Sequence, residues 1–428
     1  MLDIKLIRNQ LDLVKANVEK KFQHDKLALV DKVYALDVEF RAAKTRGDEL
    51  RAQRNALSKQ IGALMKQGQR AEADEIKKQV SAIDEEQAHL EEKEATLEAE
   101  IRSIMLVIPQ IIGEDVPIGK DDSENVELQR FGDPFVPNYE IPYHTDIVEN
   151  LKGIDLDAAR KTSGSGFYYL RGDVARLFSA VLAYARDFMI DKGFEYYIPP
   201  YMIRAAVVEG VMSQTERDNM MYKIEGEDLY LIGTSEHSMV GRFVDSITPE
   251  EELPLALTSS SPCFRKEVGA HGIEERGLYR VHQFEKQEMV VVCKPEDSPE
   301  WFKRMYQYTV ELFRSLDIPV RLLECCSGDL ADLKVKSLDV EAWSPRQQKY
   351  FEVASCSNLG DAQSRRLSIR VRGPEGLYFP HTLNNTVIAP PRMLISFLEN
   401  NYNQDGSVRI PQPLRPYMGG LEAITPRK

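Results

Sequence analysis

From Leu27 to Arg102 the chain has no proline, and two long heptad series of apolar residues run through this stretch. The first places Leu29, Leu36, Ala43, Leu50, Leu57 and Leu64 seven apart, with Val33, Phe40, Gly47, Arg54 and Ile61 four residues after successive members. The second carries Ile76, Ile83, Leu90, Leu97 and Ile104, with Val80 and Ile101 in its companion series. Alternating steps of four and three mark the seam of a coiled coil. Lys66-Gln67-Gly68-Gln69-Arg70, polar and glycine-containing, separates the two series. The spacing therefore predicts two helices folded back as an antiparallel hairpin over about residues 27–104. Leu29 to Leu64 alone would reach roughly 54 Å at about 1.5 Å per residue.

The two halves of this hairpin differ in charge. Between Lys26 and Lys66 there are nine basic and five acidic residues, whereas the second half is rich in acids such as Glu85, Glu86, Glu91, Glu92, Glu94, Glu98 and Glu100. Two readings follow. The helices form a solvated, salt-bridged pair that only tethers or dimerises. Alternatively, the basic helix follows a phosphate backbone while the acidic one turns away.

Ile108-Pro109 ends the hairpin, because proline cannot continue a helix. The predicted organisation is an N-terminal domain over 1–107, a proline- and glycine-bearing linker over 108–165, and a second domain over 166–428. In the last part, Leu177, Ala180, Val181, Tyr184 and Phe188 give an amphipathic helix stopped by Gly193. Phe194–Ile198, Leu229–Ile232, Met289–Cys293, Tyr350–Ala354 and Leu367–Val371 read as strands, and Trp301–Leu316 and Arg392–Asn400 as helices. Few helices separate the later strands. The expected fold class is α+β, with an antiparallel sheet flanked by helices behind the helical hairpin.

Composition narrows the function classes. At 43% hydrophobic residues the chain can bury a core. A net charge of −13 argues against a DNA-coating protein. No apolar run approaches the roughly 18 residues of a membrane span, and the N-terminus has no signal-peptide core, so a cytoplasmic setting is expected. Five cysteines, an odd number all in the second domain, do not form a disulfide framework. There is no phosphate loop, strand-bound dinucleotide fingerprint, HExxH or CxxC; Gly164-Ser165-Gly166 is a lone GxG. Cys325, Cys326, Cys356 and His381 read as buried residues rather than as a metal site, since adjacent strand residues face opposite ways.

Three stretches carry chemistry. Cys263-Phe264-Arg265-Lys266-Glu267, a charged turn from Gly269 to Gly277, and Tyr279-Arg280-Val281-His282-Gln283-Phe284-Glu285-Lys286-Gln287-Glu288 read as strand, loop and returning strand. An arginine there can fork onto a phosphate, and an aromatic can stack on a purine. Asn384 to Arg392 is a strand-to-helix junction that puts an arginine at a helix start. The third stretch is the helix, strand and Pro199-Pro200 over 173–200.

These stretches resemble motifs 2, 3 and 1 of the class II aminoacyl-tRNA synthetases. Thr234-Ser235-Glu236, Phe351-Glu352-Val353-Ala354-Ser355-Cys356-Ser357-Asn358, Arg365-Arg366 and the hairpin narrow the resemblance to the seryl-tRNA synthetases of bacterial type, with an N-terminal coiled-coil arm. The resemblance covers essentially the whole chain. It implies ATP, L-serine and Mg²⁺ as ligands, tRNA(Ser) as acceptor, with tRNA(Sec) open as a second, and a homodimer held through motif 1. It implies that Arg265 and Arg392 are catalytic, on the α- and γ-phosphates. Serine would meet Thr234, Ser235, Glu236, Arg265, Glu288, Asn384 and Thr386. ATP would meet Arg265, Lys266, Glu267, Val281, Phe284, Glu352, Val353, Ala354, Ser355 and Arg392, with Mg²⁺ at Glu352 and Ser355. Arg41, Lys44, Arg51 and Lys59 would follow tRNA. Two alternatives stay open: a ligase that loads a carrier other than tRNA, and a second, inhibitor-resistant copy of the enzyme.

Overall fold

The computed structural model describes residues 1–267 and 277–426, so the part of the Gly269–Gly277 turn before Gly277 lies outside the described residues. The chain divides into two compact units, Leu2–Pro109 and Gln110–Lys428, the second also counting Met1.

In the first unit, helix α1 (Leu27–Lys66) and helix α2 (Arg70–Met105) run as the hairpin the heptads require. Val33, Ala43, Gly47 and Leu50 of α1 and Leu97 and Ile104 of α2 are buried along the seam. A Cβ at Gly47 would lie 3.1 Å from Oε1 of Glu94 on the facing helix, so that carboxylate would have to shift slightly. Arg54, also at a seam position, stays exposed and pairs with Asp84 at 2.6 Å. The sequence pattern did not reveal the buried Asp37, which takes a two-pronged bond from Arg8 at 2.7 and 2.8 Å and a third from Arg41 at 2.9 Å. Burial alone would raise this carboxyl; the two guanidiniums hold it below the usual carboxylate range.

The second unit is built on an eight-stranded sheet. In chain order its strands are β1 (Val126–Phe131), β2 (Glu195–Tyr197), β3 (Leu255–Phe264), β4 (Gln283–Cys293), β5 (Val320–Glu324), β6 (Lys336–Ser344), β7 (Lys349–Asn358) and β8 (His381–Ile388). Across the sheet they stand β1-β5-β6-β7-β8-β4-β3-β2. Every neighbouring pair is antiparallel except β2 with β3. Helices α3 (Gly172–Asp191), α5 (Ser298–Ser315) and α7 (Pro390–Asn400) supply Leu177, Met189, Phe302, Phe313, Leu394 and Phe397 to the main core, where they meet Met289, Val291 and Cys293 of β4. Between α3 and α5 in the chain lies the short helix α4 (Ser235–Gly241).

Because side chains alternate along a strand, Val290 and Val292 of β4 face the other way and join a second cluster with Ile203, Val208, Met239 and Leu367. The half of that face formed by Phe284, Lys286 and Glu288 has no apolar cover and is left for a cavity. One expected strand is displaced. Leu367 and Ile369 are core residues of the second cluster in irregular backbone, and the strand runs over Arg370–Gly373 instead. The five cysteines are buried free thiols. Among the described residues no helix is long and apolar enough to cross a membrane.

Candidate active site

A cavity of about 450 Å³ opens on the strand face described above. Cross-strand register explains how residues far apart in sequence reach it. On β3 and β4, Ser259 faces Glu288, Ser261 faces Lys286 and Cys263 faces Phe284. On the other side of β4, Thr386 of β8 stands opposite Glu288. Asn384 follows two residues before Thr386 on the same face, and Ser357 of β7 pairs with Asn384.

Glu352 and Ser355 pose a geometric problem. Three residues apart on a strand, they should point to opposite faces. A register shift solves it: Ala354 pairs with Val340 but Glu352 pairs with Glu341, so β7 carries one extra residue. Such a bulge re-aims the chain, and both Glu352 and Ser355 line the cavity.

Two arginines stand over aromatic rings at the cavity wall. The Arg265 guanidinium lies 5.2 Å from the centre of the Phe284 ring, and its Nε donates to the Gly233 carbonyl at 3.1 Å. Arg392, in the first turn of α7, lies 4.8 Å from the Tyr279 ring and pairs with Glu352 at 3.0 Å. Burial would raise the Glu352 carboxyl, but Arg392, with Lys334 and Arg265 further off, holds it below its ordinary value. Glu267 turns the chain out of β3 with a left-handed φ of 47° and meets Arg280 at 3.3 Å. That backbone is strained for a non-glycine residue, a condition common at functional sites.

The cavity lining also includes the carboxylates of Glu236 and Glu288. Thr234 caps α4, its side chain accepting from the Glu236 N–H at 3.4 Å. Burial, then repulsion from Glu288, pushes the Glu236 carboxyl up to about 7 against a partial offset from Gln363, which donates to it at 2.8 Å. Glu288 is almost fully buried and pairs with Lys286 at 2.5 Å. His237 is buried beside Arg265 and Lys286; burial first and those cations second drive its imidazole down to about 3, so it is neutral.

The cavity thus brings together Thr234, Glu236, Arg265, Glu267, Val281, Phe284, Glu288, Glu352, Val353, Ala354, Ser355, Asn384, Thr386 and Arg392. Two expected residues do not line it. Ser235 follows the cap of α4, and its side chain is fully buried away from the opening. Lys266 reaches back to the Asp218 carbonyl at 3.3 Å. The His282 ring donates from Nδ1 to the Arg265 carbonyl, 3.0 Å away, and packs against Gly166, where any Cβ would lie 2.5 Å from the ring. This is the reason for one glycine of the lone GxG.

Comparison with known proteins gives the family. Residues 1–112 match the model for the seryl-tRNA synthetase N-terminal domain, and residues 220–401 match the class II tRNA synthetase core domain of the G, H, P, S and T group. A serine–tRNA ligase from Methanoculleus marisnigri is 40% identical over 99% of this chain and 100% of its own length. The chain belongs to the seryl-tRNA synthetase family. A crystal structure of seryl-tRNA synthetase from Pyrococcus horikoshii complexed with ATP covers both chains fully at a TM-score of 0.95 and 38% identity. A serine–tRNA ligase of Naegleria fowleri in complex with AMP gives 0.89 and 32%, covering 100% of this chain and 99% of its own.

Against this seryl-tRNA synthetase background, three residues near the cavity were missed from sequence. Lys286 was legible, since it stands two residues before Glu288 and so shares its face. Gln363 and Asp339 were not, and neither was the register shift at Val353, because each depends on a partner on another element. Asp339 faces Ser355 across β6 and β7; burial, then repulsion from Glu352, raises its carboxyl to about 7.

On the arm, part of the charge contrast between the two helices is taken up in ion pairs between them. Acids of α2 pair with bases of α1: Lys32–Glu100 at 2.7 Å, Arg46–Glu86 at 2.8 Å and Arg54–Asp84 at 2.6 Å. Of the residues nominated for tRNA, Arg41 shares Asp37, and Arg51 lies 3.6 Å from Asp48. Lys44 stands 5.9 Å over Phe40, and Lys59 has no ion-pair partner among the described residues.

Proposed function

We propose that this chain activates L-serine with ATP to seryl-adenylate and pyrophosphate, then transfers serine to the 3′ end of tRNA(Ser). The observation that carries the reading is one cavity lined by the guanidiniums of Arg265 and Arg392 and by the carboxylates of Glu236 and the buried Glu288. A polyanionic nucleotide fits the arginines, and the ammonium and hydroxyl of an amino acid fit the carboxylates. Serine's own carboxylate is the nucleophile and is ionised at neutral pH, so no catalytic base is needed. The protein has to hold that carboxylate in line with the α-phosphorus and neutralise the charge that builds there.

In this reading Arg265 grips the α-phosphate and the substrate carboxylate, Phe284 stacks on adenine, and Glu267 and the Val281 backbone contact the adenosine. Arg392 holds the γ-phosphate. Glu236 and Thr234 take the serine ammonium; Glu288 and Thr386 read its hydroxyl, with Asn384 beside them. Alanine would leave those buried polar groups unpaired, a penalty of roughly 10⁴-fold or more in specificity.

Mg²⁺ fits the residues present. Ionised Glu352, the Ser355 hydroxyl and the neighbouring Asp339 are hard oxygen donors, and one or two carboxylates plus substrate phosphates suffice for this ion. When bound, it would neutralise phosphate charge. The arm would contact tRNA through Lys44 and Lys59, and through Arg41 and Arg51 where their acids allow. A homodimer through the 173–200 unit is supported by exposed Ile198 within it and Met202 just beyond it. Charging assays with purified tRNA(Ser) and a set of other tRNAs test the whole reading. Serine should be attached to tRNA(Ser) alone, or to it and tRNA(Sec). Attachment of another amino acid, or none to any tRNA, would overturn it.

A further inference from the structure

Gln363 lies outside the cavity, on the helix α6 (Ala362–Arg366), and is completely buried. Its Nε2 donates to Oε1 of Glu236 at 2.8 Å and to the Val211 carbonyl at 3.3 Å. Its Oε1 accepts from the Thr382 hydroxyl at 2.6 Å. Reversing the amide would turn its oxygen toward the Val211 carbonyl and the Glu236 carboxylate, which are acceptors, so only one orientation satisfies the three partners. Thr382 is itself completely buried, and its backbone is pinned on both sides: its N–H donates to Gly360 and its carbonyl accepts from Leu359, each at 3.0 Å.

We propose that Gln363 is a positioning residue for amino-acid recognition: locked by Thr382 in a single amide orientation, it aims the Glu236 carboxylate and holds it ready for the ammonium group of the substrate. This rests on the reading of Glu236 as the ligand of that ammonium. The surroundings make such a device necessary. Glu236 faces Glu288 and Lys286 from β4 and Lys334 from the segment before β6, and its nearest direct donor is the neutral Gln363. Burial and Glu288 favour the protonated form, which would present no charge to an ammonium. The buried amide opposes both without adding a cation that would compete with the substrate.

The test is serine-dependent ATP–pyrophosphate exchange from pH 6 to 9 with the wild-type protein, Gln363→Leu, Thr382→Val, Thr382→Ser and Glu236→Gln. Gln363→Leu should raise KM for serine about tenfold at pH 7, while kcat and the KM for ATP change far less; one hydrogen bond to a charged group is worth about that factor. The pH above which KM for serine levels off should move up by about one unit. Thr382→Val should act in the same direction and more weakly, and Thr382→Ser, which keeps the hydroxyl, should restore the wild-type profile. An unmoved pH profile in Gln363→Leu, or an equal loss in kcat and in the KM for ATP, would overturn the proposal. Glu236→Gln separates the two layers. If it leaves KM for serine unchanged, the assignment of Glu236 is wrong. If it raises KM while Gln363→Leu does not, only the positioning role is wrong.

Discussion

Replacing Lys286 with methionine should destabilise the catalytic unit by about 3–5 kcal/mol, the usual cost of leaving one member of a buried ion pair alone. The side chains of Lys286 and Glu288 are only 8% and 2% exposed and lie 2.5 Å apart. The pair is nearly withdrawn from solvent, and Glu236 adds a further negative neighbour. The apparent Tm should fall by about 5–10 °C. The double variant Lys286→Met with Glu288→Gln removes both charges and should recover to within about 1 kcal/mol of the wild type, because a buried pair contributes little net stability over a neutral replacement. Urea unfolding followed by near-ultraviolet circular dichroism measures all four corners of the cycle. A coupling energy below about 0.5 kcal/mol, meaning additive losses, would refute the claim that the two charges depend on each other. The double variant should still fail to discriminate serine from alanine, since the hydroxyl reader has been altered.

Further outcomes follow from other parts of the site. Arg265→Ala and Arg392→Ala should each lower the rate of adenylation at saturating ATP by at least about 10², with the fold intact by circular dichroism; near-wild-type exchange would remove that arginine from the mechanism. Asp339 is raised from 3.8 to about 7, so the folded state resists its ionisation, and its contribution to stability is lost as pH rises through that window. Asp339→Asn should therefore gain Tm relative to the wild type between about pH 4 and pH 7 and gain no more above it; thermal melts across that range check the sign. Deleting residues 30–100 should abolish tRNA charging and spare serine activation, and charging by the full chain should weaken steeply with salt while activation does not. Wild-type charging by the deletion variant would make the arm a spacer.

The arm was legible because a heptad seam is a local property: each residue's burial follows from its neighbours three and four positions away. The site residues were named through the family resemblance that their motifs carry, and fourteen of them converge on the cavity. What escaped was set by pairing between distant segments. Nothing in Phe351–Asn358 announces the extra residue that turns Glu352 and Ser355 to one face; that comes from the register against β6. Gln363 sits in an unremarkable Ala-Gln-Ser-Arg-Arg run, and its role exists only through Thr382 and Glu236. Leu367–Val371 looked like a strand because it is apolar and β-prone, yet Leu367 and Ile369 are drawn into the second cluster before the strand begins. The charge contrast between α1 and α2 was real, but the sequence did not show that several of the acids would be spent on the facing bases.

The central claim is that this cavity joins serine to AMP. ATP–pyrophosphate exchange, measured without tRNA for each of the twenty amino acids in the presence of Mg²⁺, tests it most directly. Serine alone should drive rapid exchange, with alanine, glycine and threonine lower by several orders of magnitude. Exchange driven best by any other amino acid, or no exchange without tRNA, would contradict the account.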